Sequence, residues 1–333
     1  MKRYLNHRPR LFLKFSFFMY TFRQIFSQAL KIAWQNPGLW FFGLFAAMLG
    51  SVGELELLLS SYGFGGQGII LAFWQGLATG GLFTSAGLRG IFQVLTTNPV
   101  FLFIFILIAL IVLAVSIFLI WLVNVCVSAL ISETINVNRG QSFKFSRGFG
   151  VGLKKFWPVF GLIIITRLLA WAMFGLGGFF VLLNFPGSVY LALTGFVLIL
   201  IFILSLTFVS KYAICGVVLK DWGFKDGLAS AWHLFRQNWL LSLEVAFILF
   251  IIYFAVNSLL AFYLPLILFY FLKIFSGFWF GLTLMFILLF FVFLFVQIIF
   301  TIFHWASWAI IFLLLSNKKE SLTSRLKSGF RGI

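Results

Sequence analysis

The stretch VFLFIFILIALIVLAVSIFLIWLVNVCVSALI, Val100 to Ile131, contains no Asp, Glu, Lys or Arg. About 20 helical residues cross a ~30 Å hydrocarbon core, so this segment is more than long enough to span a bilayer. The remainder of the chain has the same character. Of 333 residues, 63% are apolar and 9% charged, against about 25% charged in an ordinary soluble domain. The 24 Lys and Arg with 7 Asp and Glu cannot screen 49 Phe and 12 Trp from water. A soluble fold is excluded. Because every backbone polar group must be satisfied internally in lipid, the expectation is an all-α, polytopic transmembrane helical bundle.

Six apolar stretches are long enough to cross: Leu39–Ser60, Val100–Ile131, Pro158–Leu183, Val189–Leu219, Trp239–Leu264 and Phe278–Leu315. Several exceed the minimum, so they should tilt or extend beyond the bilayer. Pro265–Gly277 is also apolar and reads as a seventh span, a re-entrant piece or a continuation of its neighbour. Gly50–Pro99 is harder to place. It holds Glu54, Glu56, the Gly-rich GFGGQG at Gly63–Gly68 and a long apolar run, IILAFWQGLATGGLFTSAGL. A crossing there would invert everything downstream, so an outer-face amphipathic or re-entrant region is expected.

The basic residues orient the bundle. Lys2, Arg3, Arg8, Arg10, Lys14, Arg23 and Lys31 precede the first span, and Arg139, Lys144, Arg147, Lys154 and Lys155 fill the second-to-third connection. Lys220, Lys225 and Arg236 lie between the fourth and fifth spans, and Lys318, Lys319, Arg325, Lys327 and Arg331 form the tail. The opposite connections offer Arg89 and Lys273. Excess Lys and Arg marks cytoplasmic loops, so six spans with both termini cytoplasmic are expected, in a cell (inner) membrane. The implied organisation is a basic N-terminus with an interfacial helix (1–37), a membrane domain with the outer Gly-rich region (38–315) and a basic tail (316–333). The run Leu11–Tyr20 is short, interrupted by Lys14 and without a small-x-small cleavage site, so it does not read as a signal peptide. An amphipathic pattern begins close to Met19, which makes Met19 a candidate start and 1–18 either an unstructured extension or one wrongly assigned to the chain.

One unit recurs. FRQIFSQALKIAWQNP (Phe22–Pro37), FKFSRGFGVGLKKFWP (Phe143–Pro158) and FKDGLASAWHLFRQNW (Phe224–Trp239) each open on Phe and reach Pro or Trp fifteen positions later, at the mouth of a span. In the first, Phe22, Ile25, Phe26, Ala29, Ile32 and Ala33 share one helical face opposite Arg23, Gln24, Ser27, Gln28 and Lys31. Thr21 and Gln24 suit a capping box, and Asn36-Pro37 should end the helix. In the third, Phe224, Leu228, Ala231, Trp232, Phe235 and Trp239 form the stripe. Such helices either lie in the headgroup interface, basic face toward anionic lipid, or pack against the spans.

Catalytic chemistry finds little purchase. Gly63, Gly65 and Gly68 have G-x-G-x-x-G spacing, but a dinucleotide site needs a soluble βαβ unit around it. His7, His233 and His304 have no Cys or carboxylate at ligand spacing, so no metal and no cofactor are expected. Cys126 and Cys215 lie in apolar runs. Asp221 and Asp226 flank a helix start and suit capping and dipole roles. The positive excess is read as membrane address and headgroup contact, with no nucleic acid as partner.

Intramembrane charges are the better lead, since burying one is costly and calls for a partner. Arg167 is nine residues past Pro158, about 13 Å deep at ~1.5 Å per residue. Glu244 is five past Trp239, about 8 Å by the same rise, and Lys211 eight before Leu219, about 12 Å. Glu133 closes the second span. The expectation is an ion-pair cluster of Glu133, Arg167, Lys211 and Glu244, with Arg167–Glu244 its central pair. Asn124, Asn257 and Gln297 are further polar candidates near mid-membrane.

SKYAICGVVLKDWGFKDGLASAWHLFRQNWLLSLE, Ser210 to Glu244, resembles a family of bacterial polytopic membrane proteins similar to the membrane domain of glycerophosphodiester phosphodiesterases. Ala231-Trp232-His233-Leu234 fits that family's Ser/Ala-Trp-x-Leu pattern, and FRQIFSQALKIAWQNPGLWFFGLFAA and WASWAIIFLLL extend the likeness. The resemblance implies a six-span membrane protein. The catalytic phosphodiesterase domain has no counterpart in this sequence, so no enzymatic activity is implied. The expected role is a non-enzymatic organising or anchoring protein, with a transporter or permease-like subunit for a small or lipidic solute as the alternative.

Overall fold

A computed structural model describes residues 10–48, 89, 99–182, 188–274 and 279–330. Among the described residues the fold is all-α, with nine helices and no strand. They are α1 (Arg10–Gln35), α2 (Gly38–Ala47), α3 (Pro99–Asn138), α4 (Phe145–Lys154), α5 (Phe156–Leu182), α6 (Ser188–Leu219), α7 (Phe224–Gln237), α8 (Trp239–Ile274) and α9 (Trp279–Phe330). Five of them, α3, α5, α6, α8 and α9, are long and apolar enough to cross a membrane. The chain is a multi-pass membrane protein.

Five of the six expected spans correspond to these helices. The first, Leu39–Ser60, is helical through Ala47; its part beyond Met48 lies outside the described residues, as does the expected outer region Gly50–Pro99 apart from Arg89 and Pro99, the first residue of α3. Pro265 sits inside α8, which runs on to Ile274, so Pro265–Ile274 continues the fifth span. A membrane helix tolerates such a ring in its interior where neighbouring groups and local adjustment satisfy the carbonyl it leaves free. The α9 helix also passes the expected end of the last span, reaching Phe330.

The N-terminus departs from expectation. Helix α1 begins at Arg10, so 10–18 is helical rather than unstructured, and Thr21 lies inside the helix rather than capping it. Its end is as read: the Asn36 side chain donates to the Ile32 carbonyl at 3.0 Å, and α2 starts after Pro37. Helix α7 stops with the same device, Asn238 donating to the Leu234 carbonyl at 3.1 Å before α8 begins.

By contacts the chain forms two compact units, 52–123 and the rest. In the smaller unit, the described side chains of α3 from Pro99 to Phe118 are all exposed. The larger unit has a dense core. In α9 every residue from Ile298 to Phe312 is buried, and α1, α2, α6 and α8 pack around this helix. The α6 helix is buried from Thr207 to Val218 except at Lys211, and packs on α5 and α7. Away from this core the same helices expose apolar side chains, among them Leu198 and Ile201 of α6, Phe254 and Phe262 of α8, and Phe286 and Phe290 of α9. Apolar side chains outside in a helix this hydrophobic are the mark of lipid contact.

Polar bonds cross the helix interfaces. Thr166 of α5 donates to Ser210 of α6 at 3.1 Å, and Tyr212 of α6 meets Ser242 of α8 at 2.8 Å. Gln297 of α9 donates to Asn257 of α8 at 2.7 Å. Two of the polar residues singled out near mid-membrane are thus partners of each other, each satisfying a group that hydrocarbon cannot.

Candidate functional site

The recurring unit becomes, in space, an amphipathic helix running within two residues into an apolar one: α1 into α2, α4 into α5, and α7 into α8. Each amphipathic helix buries one edge. In α1 this is Ile25, Ala29, Ile32 and Ala33, on α9; in α7 it is Gly227, Ala231 and Leu234, on α6. In α4 the edge is glycine. A Cβ at Gly148 would overlap the Glu133 side chain, and one at Gly152 would overlap the Val125 carbonyl, so only glycine lets α4 approach α3 this closely.

The stripe expected on α7 is therefore rotated. Ala231 is buried, but Leu228, Trp232 and Trp239 point outward, because the Gly227–Ala231–Leu234 edge is narrow enough to reach α6 and the bulkier side chains are not. This outward apolar side recurs. Leu30 and Trp34, Leu153 and Trp157, and Leu228 and Trp232 are all exposed, Trp157 by 75%. In each pair the Trp follows the Leu by four residues: one helical turn on in α1 and α7, and across the α4–α5 junction for Leu153 and Trp157. Exposed basic residues lie beside them: Lys31, Lys154, Lys225 and Arg236. A Leu-x-x-x-Trp repeat is present in the sequence, yet it is informative only once both members are seen to be unburied.

The second connection is pinned by one carboxylate. Glu133, fully buried near the end of α3, accepts from both Nε (2.7 Å) and Nη2 (2.8 Å) of Arg147, from Asn136 Nδ2 (3.0 Å) and from the Lys144 backbone N–H (3.1 Å). This bidentate fork is the strong form of an ion pair, and it holds the Arg147 guanidinium above its ordinary value. Arg147 also donates to Gln141 Oε1 and the Ser142 carbonyl, so a single pair closes the turn from Arg139 to Lys144. Gly140, with φ +80°, makes the reversal that a side chain would strain. The Phe42 ring, on α2, stacks on Phe145 at 5.0 Å and adds an apolar floor.

The other turn uses Asp221 rather than a cap. Its backbone is left-handed (φ 55°), and its carboxylate pairs with Lys155 at 2.5 Å, linking the start of α5 to the α6–α7 turn. The N-cap of α7 is Gly223, while Asp226 sits in the first turn, where it complements the helix dipole.

Of the four residues expected to form an ion-pair cluster, Glu133 is thus filled by Arg147, Asn136 and Lys144. Lys211 is half-buried on α6, its ammonium 5.2 Å over the Trp308 ring. Arg167 is exposed on α5, and Glu244 is half-buried in the second turn of α8. Among the described residues no three His, Cys, Asp or Glu side chains are gathered as metal ligands.

No protein-family model matches this chain, nor does any curated protein or solved structure.

Proposed function

We propose that the protein is a non-enzymatic organising or anchoring protein of a bacterial cell membrane, with both termini cytoplasmic, whose three amphipathic helices grip anionic lipid headgroups. The exposed Leu-x-x-x-Trp pairs carry this reading. An exposed Trp is at home at the membrane–water boundary, where its ring is apolar and its N–H polar. The neighbouring Lys and Arg face anionic lipid, each worth about 1 kcal/mol near the surface. The likeness of Ser210–Glu244 to phosphodiesterase membrane domains belongs to the same proposal, as a membrane part without its catalytic partner.

The buried edge and the exposed edge of each helix have different tasks in this reading. One fixes the helix to the core; the other dips into the lipid. A helix so held spreads the attachment of each span over the headgroup region and gives the packed end a defined depth.

Spin-labelled lipids test it in bilayers holding the full chain. Phosphatidylglycerol should be enriched over phosphatidylcholine in the immobilised fraction, and Gln at Lys31, Lys154, Lys225 and Arg236 should abolish the preference. Equal immobilisation of both lipids by the unaltered protein would remove the headgroup role. Saturable solute flux through liposomes would replace anchoring with transport.

A further inference from the structure

A second polar group of residues lies inside the core, away from the interfacial helices. His304, Trp305 and Trp308 occupy adjoining turns of α9 and are 3%, 4% and 0% exposed. Among the described residues, neither ring nitrogen of His304 has a hydrogen-bond partner, and the same holds for the indole N–H of Trp305 and of Trp308. The His304 ring centroid lies 6.2 Å from that of Trp305 and 6.4 Å from that of Trp308. Lys211 brings its ammonium over Trp308 from α6 and is half-buried, so the group reaches the surface of the packed core on that side.

A buried donor left unpaired costs its desolvation in full, and hydrocarbon offers no water to relieve it. Phe at 305 and 308 would supply almost the same ring area without that cost. Nearby in the core the pattern is the opposite: Tyr212, Ser242, Ser307 and Thr207 all have partners. The unmet nitrogens share one stretch of one helix, and they share a chemistry. Two indole N–H groups, an imidazole N–H and an adjacent ammonium are all donors. A cation would be repelled by Lys211, and a hydrocarbon would leave each donor unmet. An oxyanion with several acceptor oxygens is the class of ligand that can accept from all of these donors.

We propose that His304, Trp305, Trp308 and Lys211 form a binding site for a phosphate ester, held by the indole and imidazole N–H groups and the ammonium. The same chemistry is offered by a lipid headgroup drawn into the core and by a soluble phosphate ester. The site is independent of the interfacial reading, since it shares no residue with the exposed Leu and Trp pairs.

The test uses the full chain in a neutral detergent and follows its thermal midpoint with phosphatidylglycerol, diacylglycerol or glycerol 3-phosphate added. Phosphatidylglycerol should raise the midpoint by about 5 °C near saturation, while diacylglycerol, which lacks the phosphate, should not. An equal rise with glycerol 3-phosphate assigns the site to soluble esters. Trp305→Phe and Trp308→Phe keep the ring and delete the donor, and Lys211→Met deletes the charge; each should lose at least half of the rise. Gln at Lys31, Lys154, Lys225 and Arg236 should leave the Trp305-dependent part intact, which separates this site from surface headgroup binding. No rise with either phosphate ester in the unaltered protein overturns the proposal. So does a rise kept in full by whichever of the three variants folds.

Discussion

The two halves of α9 are both apolar and have opposite surroundings. Leu284–Phe293, LMFILLFFVF, is exposed or half-buried throughout; Ile298–Phe312, IIFTIFHWASWAIIF, is buried throughout. The difference lies in residue size and polarity. The buried half contains Thr301, Ala306, Ser307 and Ala309, which allow neighbouring backbones to come close, whereas the exposed half is Phe, Leu, Ile, Val and Met. The same contrast separates Val197–Phe202 of α6, largely exposed, from Thr207–Val218, buried save Lys211. With lipid tails as apolar as leucine, hydrophobicity cannot choose which segment packs; small and hydrogen-bonding residues choose it.

Substitutions at matched positions break or sharpen this contrast. The largest effect belongs to Ala306→Leu or Ala309→Leu, both fully buried. Overpacking there should destabilise by about 3 kcal/mol, while Phe290→Leu on the exposed half should stay within about 0.5 kcal/mol. Reversible unfolding in mixed micelles reads both, and equal losses would dissolve the distinction between the halves.

Next comes Glu133→Ala. It removes the acceptor shared by Arg147, Asn136 and the Lys144 N–H, and charged hydrogen bonds of this kind contribute about 1.5–3 kcal/mol. The loss should be accompanied by faster amide exchange at 139–144, the turn it closes. Unchanged exchange would show that the turn is held by the aromatic floor alone.

The smallest effect is expected at Asn257 and Gln297, which bond between α8 and α9 where both helices otherwise expose apolar side chains. A double-mutant cycle to Leu should give a coupling of about 0.6 kcal/mol, the usual size inside membranes. Strict additivity would mean that the two side chains do not hold the helices together there.

Much of the fold was legible in the sequence because bilayer thickness and internal hydrogen bonding leave few solutions for chains this apolar. Five spans lie where the long apolar runs place them, and Asn36-Pro37 ends α1. What hydropathy could not supply was rotation and partnership. The turn of α7 that buries Ala231 and exposes Trp232 follows from the glycine and alanine edge on its other side. The partner of Glu133 is Arg147 in the adjoining turn, fourteen residues on, because the reversal at Gly140 carries the guanidinium back. Depth along a helix axis contains no information about azimuth, and azimuth is what brings Glu133 to Arg147.

If α1, α4 and α7 grip headgroups as proposed, the three helices share one depth at the membrane surface. Nitroxide labels at Leu30→Cys, Leu153→Cys and Leu228→Cys, with Cys126 and Cys215 replaced by Ala, measure that depth through the ratio of oxygen to nickel-chelate accessibility in vesicles. All three labels should lie just beneath the headgroups of the same leaflet. Labels at different leaflets, or fully accessible to the chelate as in water, would contradict it.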